Sequence, residues 1–254
     1  MTLTLASVAK DFAGVHAVRD VSLEVAPGEV VGLVGPNGSG KTTVVNVTSG
    51  AVAPSAGRVT VNGAGLAGRP SWRFAAAGVV RTFQAVRLFE GLDVLDNVLV
   101  GAQRSVRRSL AAAWLRSPTF RRRERELRTT AAAALEAVGM ASFAAEPVGR
   151  LSHGQRRRVE LARAFAAGPT YLVLDEPGAG IDPAHLDVFA TLIDRQRQAG
   201  VGVLLVEHDP ALVDRLADRV LGMAGGYVVA EGSFGEVAAH PALASHLAAT
   251  GLDR

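Results

Sequence analysis

The sequence predicts an α/β fold, a mostly parallel sheet with crossover helices, and three observations predict it. Apolar runs of strand length alternate with longer helical stretches. A glycine-rich loop, Gly35–Gly40, lies between one such run, Val30–Val34, and a helical stretch, Lys41–Ser49. A second run, Tyr171–Leu174, ends on two carboxylates, Asp175 and Glu176. Open α/β sheets bind ligands beyond the carboxyl ends of their strands, where both features fall.

Taken in order, Leu3–Val8 and Val21–Val25 are strand-like, and Pro27-Gly28 turns the chain into Val30–Val34. Arg58–Val61 and Val79–Phe83 are further strands. From Asp93 to Val138 the pattern is helical, with alanine and arginine tracts. A helix over Arg156–Ala167 precedes the strand Tyr171–Asp175, and a helix over Ala184–Gln198 follows it. Val201–Glu207 is a strand and Pro210–Ala217 a short helix. Val220–Met223 and Tyr227–Ala230 form a hairpin around Gly225-Gly226, and a short helical tail starts at Phe234. The expected organisation is a single domain, 1–254. Its core is 1–90 with 159–254, including a small antiparallel β part, and 91–158 is an inserted helical subdomain.

Composition narrows the function classes. The chain has 254 residues, 48% of them hydrophobic and 20% charged, enough to bury a sizeable core. It has no cysteine, which removes disulfides and cysteine zinc sites. A formal net charge of +3 is too small to argue for nucleic-acid binding, and none is expected. The apolar run Val201–Val206 is far shorter than the roughly 20 residues a membrane helix needs. Met1–Val8 has no basic stretch leading into an apolar one, so no targeting segment is expected. Of 27 basic side chains only Lys10 and Lys41 are lysines, so an ammonium at position 41 stands out where a point charge must meet a phosphate. Arg121–Arg123 with Arg125 and Arg128 reads as a solvated helix face, with a contact to lipid headgroups or a partner as the alternative.

The loop Gly35-Pro36-Asn37-Gly38-Ser39-Gly40-Lys41-Thr42 fits the phosphate-binding pattern G-x-x-x-x-G-K-[ST]. Its glycines let several backbone N–H groups converge, and the next helix points its positive end at them. Lys41 is expected to reach the terminal phosphates and Thr42 to ligate Mg²⁺, with Thr43 the next residue of the nucleotide site. Asp175 holds Mg²⁺, and Glu176 orients or deprotonates the attacking water. Loop and carboxylates together indicate a P-loop NTPase (RecA-like) core.

Leu151-Ser152-His153-Gly154-Gln155 resembles the signature motif of ABC ATPases, usually Leu-Ser-Gly-Gly-Gln. It lies some twenty residues before Asp175-Glu176, as in that family, and the resemblance spans nearly the whole chain. The helical insert would then be of ABC ATPase type. The resemblance implies that Phe12 stacks on adenine, that Gln84 senses both Mg²⁺ and the membrane subunit, and that His208 contacts the γ-phosphate. It implies that Ser152, His153, Gly154 and Gln155 meet the ATP of an opposite subunit, and that Asp182 belongs to a loop at that interface. The implied cofactors are ATP and Mg²⁺. The implied partners are a second ABC ATPase, in a homodimer or heterodimer, permease subunits and, indirectly, a solute-binding protein. The implied location is the cytoplasmic face of the cell membrane. Two departures bear on coupling between halves of the dimer: His153 replaces a glycine, and Ala179 stands where many relatives have serine.

Leu115–Arg122, Leu151–Arg158 and Val206–Asp209 are similar to the ATP-binding subunits of branched-chain amino-acid importers. ATPases for lipid, lipopolysaccharide, urea or amide transport share much of this pattern. A soluble ABC ATPase usually carries two ATPase domains or a long coiled coil, and this chain has neither. A P-loop kinase or GTPase would leave the signature without a role, and with only two lysines a guanine-reading Asn-Lys-x-Asp is impossible. The apolar stretch Ala85–Phe89 is expected to be the groove for a permease helix, with a cover over the helical subdomain as the alternative.

Overall fold

The computed structural model describes residues 1–82, 86–103, 118–179 and 183–244. Among the described residues, ten strands form one sheet in the order β5-β4-β1-β2-β10-β9-β3-β8-β7-β6. They are β1 (Leu3–Phe12), β2 (Val15–Val25), β3 (Val30–Val34), β4 (Ala56–Val61), β5 (Ala64–Gly65), β6 (Val79–Arg81), β7 (Tyr171–Asp175), β8 (Gly202–Val206), β9 (Arg219–Ala224) and β10 (Tyr227–Gly232). Parallel pairing runs through β9-β3-β8-β7-β6 and joins β10 to β2, while β1 pairs antiparallel with β2 and β4, β4 with β5, and β9 with β10. The expected fold class, a mostly parallel sheet with a smaller antiparallel part, is the one observed.

The central strands are continuous apolar runs because they are buried on both faces: every residue of β3, β7 and β8 is buried. Alternation then decides which side each side chain serves. Val31, Leu33, Tyr171, Val173, Leu204 and Val206 pack with Val44, Val45 and Val47 of helix α1 (Lys41–Thr48). On the other side Val34 and Val220 pack with Val213 of one short helix, Pro210–Leu216, and Val237 of another, Phe234–Ala238. Among the described residues no helix is long and apolar enough to cross a membrane.

Contacts divide the chain into two compact units. The first is Met1–Gln84 with Thr170–Ala179 and Pro183–Arg254, and the second is Ala85–Pro169 with Gly180–Asp182. The first unit also holds α2 (Ser71–Ala76). The second is helical: α3 (Val94–Ala102), α4 (Pro118–Ala137) and α5 (His153–Ala166) pack on one another. Its span is wider than the expected 91–158, because α5 packs with α3 and α4. The remaining helices are α6 (Pro183–Gln198), α7 (Pro210–Leu216) and α8 (Phe234–Ala238).

Two boundaries differ instructively from the sequence reading. β1 and β2 run on to a two-residue turn in which both Ala13 (φ 44°) and Gly14 (φ 88°) are left-handed. That is the hairpin geometry favoured by strand twist, but alanine is a poor advertisement for it. The signature helix starts at His153 rather than Arg156, because Ser152 and Gln155 close its first turn as a capping box.

Candidate functional site

The phosphate loop leaves β3 and enters α1. Gly40 sits at φ +105°, where a side chain would be strained, and an added Cβ would meet the Ala17 carbonyl at 2.5 Å. Lys41, at the start of α1, is only 6% exposed. Its ammonium donates to the carbonyls of Gly35 (2.7 Å) and Pro36 (3.0 Å), so it lies folded back into its own loop. Burial pulls its pKa below the usual lysine range, and the charges of Glu176 and Asp175 oppose that shift. The Ser39 hydroxyl is buried without a hydrogen-bond partner among the described residues. A buried orphan hydroxyl is costly and marks a place where a polar ligand would fit. Thr42 and Asn37 are exposed, while Pro36 and Thr43 are half-buried.

Adjacent strands bring three loops together. Val206 of β8 lies between Leu33 of β3 and Asp175 of β7 in the parallel register. The phosphate loop, the carboxylate pair and His208 therefore all leave the same end of the sheet. Asp175 is buried, and its Oδ2 accepts from Arg81 at 2.8 Å. The same guanidinium reaches Asn46 of α1. Glu176 has φ 49°, left-handed for a residue with a long side chain, and its amide donates to the Val206 carbonyl. Its Oε1 lies 2.8 Å from His208 Nε2. The carboxylate and imidazole are thus paired beside the phosphate loop.

Glu207 lies behind this pair, 4% exposed, accepting from the backbone amides of Gly178 and His208. Burial raises its pKa and these backbone donors oppose the rise. Neither Arg81 nor Glu207 stood out as a functional residue in the sequence. A charged residue directly after a fully apolar strand run was the available signal for Glu207; for Arg81, only its place before Thr82-Phe83-Gln84.

The other expected residues are less gathered. The Phe12 ring is exposed at the β1–β2 hairpin, with the Lys10 ammonium 4.9 Å above it. In the helical unit Ser152 N donates to Gln155 Oε1 (2.9 Å), and Gln155 N to Ser152 Oγ (3.3 Å). Two polar side chains of the signature thus cap a helix, while His153 is exposed and Gly154 has open space around it. Gln84, Ala85 and Asp182 lie outside the described residues, as do residues 115–117 of the stretch Leu115–Arg122. Phe89 is 52% exposed, and its backbone N–H and C=O are both held by the buried Asn97.

The donor set fits ATP and Mg²⁺. Among the described residues no three His, Cys, Asp or Glu side chains gather to hold a metal. A cation here would draw on one carboxylate, Asp175, one hydroxyl, Thr42, and the nucleotide's own phosphates, the kind of shell Mg²⁺ takes.

The ABC transporter family model matches residues 18–179. The chain is 39% identical over 240 residues to the high-affinity branched-chain amino acid transport ATP-binding protein BraF of Pseudomonas aeruginosa, covering 94% of each. It is 34% identical to the lipopolysaccharide export system ATP-binding protein LptB of Escherichia coli, covering 93% of this chain and 92% of that one. Among solved structures, it resembles a nucleotide-free ATP-binding cassette from an ABC transporter, with a TM-score of 0.84 and 28% identity over 97% and 98% of the two chains.

Proposed function

The chain belongs to the ABC transporter family as an ATP-binding, ATP-hydrolysing subunit, and from that premise we propose that it powers import of branched-chain amino acids. The observation that carries the substrate class is the 39% identity to the Pseudomonas branched-chain amino acid subunit over 94% of both chains. Over nearly the same length the lipopolysaccharide-export relative reaches 34%.

In this reading Lys41 unfolds from the Gly35 and Pro36 carbonyls to meet the β- and γ-phosphates. The loop amides and Thr43 hold the rest of the phosphate chain. Thr42, Asp175 and Gln84 would hold Mg²⁺, which when bound neutralises charge on the β- and γ-phosphates. Glu176 holds the attacking water and accepts its proton. The imidazole of His208 then serves the γ-phosphate from the position in which it now pairs with Glu176. Phe12 offers its ring to adenine. Ser152 to Gln155 and Asp182 meet the ATP of a second ATPase subunit, which makes ATP the joint of a sandwich dimer. Ala85–Phe89 receives the permease, and the subunit works as a peripheral protein on the cytoplasmic face of the membrane, below a permease fed by a solute-binding protein.

Uptake of radiolabelled leucine, isoleucine and valine by cells lacking this chain tests the substrate class. Uptake should fall to background, return with the wild-type chain and stay absent with Glu176→Gln. Unchanged uptake of all three in the deletion strain, with defective lipopolysaccharide export, would transfer the subunit to the other relative's cargo.

A further inference from the structure

We infer that Glu207 is a positioning residue for hydrolysis: its buried carboxylate locks the loop after Glu176 to the loop that carries His208. The inference deepens the reading of Glu176 and His208 as the hydrolytic pair and rests on it.

Four hydrogen bonds close a ring around that pair. Glu176 Oε1 meets His208 Nε2 at 2.8 Å. The His208 amide donates to Glu207 Oε2 at 3.0 Å. The Gly178 amide donates to the other oxygen, Glu207 Oε1. The Glu176 amide donates to the Val206 carbonyl at 2.8 Å. Asp209 adds a third backbone donor to the carboxylate. Two oxygens fixed on one planar group thus span two separate loops, and neither loop can shift without breaking a hydrogen bond to it.

The placement is specific. A carboxylate this buried is ordinarily matched by a cationic side chain. Among the described residues no arginine or lysine forms an ion pair with Glu207, and its hydrogen-bond donors are backbone amides. Gly178 is also needed: an added Cβ would stand 2.8 Å from Glu207 Oε1, so a side chain at 178 would push the carboxylate away. An ordinary core position would be filled better by an apolar residue. A carboxyl group kept here, bonded to the amides of the two loops beside the reaction, serves to fix those loops.

The test is single-turnover hydrolysis of radiolabelled Mg-ATP by the full chain. Glu207→Gln keeps the shape but turns an amide NH₂ toward one side of this set of N–H donors, so at least one bridge is lost. The hydrolysis rate should fall by about 10-fold or more, while ATP affinity by calorimetry stays within about 2-fold of wild type. In a His208→Ala background the same substitution should cost little more, because residues acting through one another are not additive. Gly178→Ala, which displaces the carboxylate from the opposite side, should reproduce both results if Glu207→Gln folds poorly. A wild-type rate, a loss expressed wholly as weaker ATP binding, or a full additional loss in the His208→Ala background would overturn the proposal. Glu176→Gln run alongside separates the two readings, since wild-type hydrolysis in that variant sinks the hydrolytic pair itself whatever Glu207 does.

Discussion

Lys41 and Arg81 show how single charges organise this site. The Lys41 ammonium has given up water for two carbonyls of its own loop, and a phosphate that replaces those carbonyls gains a charge-assisted contact. Lys41→Ala should weaken ATP binding by about 10- to 100-fold, the equivalent of ~1.5–3 kcal/mol for a bond to a charged group. Lys41→Arg should fail as well, because a planar guanidinium does not fit the space of an ammonium that is 6% exposed. Calorimetry with ATP measures both, and wild-type affinity in either would remove the loop from the mechanism. For chemistry, Glu176→Gln should slow phosphate release by ~10²–10⁴-fold with ATP still bound. The loop and carboxylates were legible in sequence because their chemistry demands fixed residue types at fixed spacing. Arg81 was not, because its importance lies in reaching Asp175 and Asn46 at once, and pairing across 94 and 35 positions leaves no local trace.

Among the elements, the strands buried on both faces were the most legible. Val30–Val34 and Tyr171–Asp175 were read to the residue, since a continuous apolar run has one place to go. α2 was missed: six residues starting after Pro70, with no side-chain cap, carry neither a period nor a start signal. β1 was read too short because bulges break its alternation, and Ser7 itself sits at φ 46°. Helix α5 carries the element-scale prediction. Arg157 and Glu160 pair at 2.6 Å with each side chain 1% exposed. Arg157→Ala should cost about 3–5 kcal/mol in urea denaturation, because it leaves a buried carboxylate without its main partner. Arg157→Met with Glu160→Leu should recover most of that loss. Little change in Arg157→Ala would mean the pair is hydrated rather than buried.

For the whole molecule, the sequence indicates one core with a helical insert over 91–158, and contacts group Ala85–Pro169 with Gly180–Asp182 as one unit. Helix packing, which decides the division, depends on side chains from three distant segments. Assembly is where the prediction lies. In the proposed nucleotide sandwich the phosphate loop comes from one copy and the signature from the other. Glu176→Gln should therefore be monomeric without nucleotide and dimeric with Mg-ATP by light scattering, and Ser152→Arg should prevent the dimer while sparing ATP binding. A protein that stays monomeric with Mg-ATP at all concentrations would contradict the sandwich. Leu88→Asp with Phe89→Asp should leave ATP binding intact and abolish co-purification with the permease; retained co-purification would move the docking surface elsewhere. The near absence of lysine has a practical outcome for such work. Among the side chains an amine-directed reagent finds only Lys10 and Lys41, and Lys41 is shielded by its own loop. Lys10 leans over the ring proposed to carry adenine. Labelling at Lys10, followed by mass spectrometry with and without ATP, would then amount to a one-site footprint of nucleotide occupancy, with no engineered tag required.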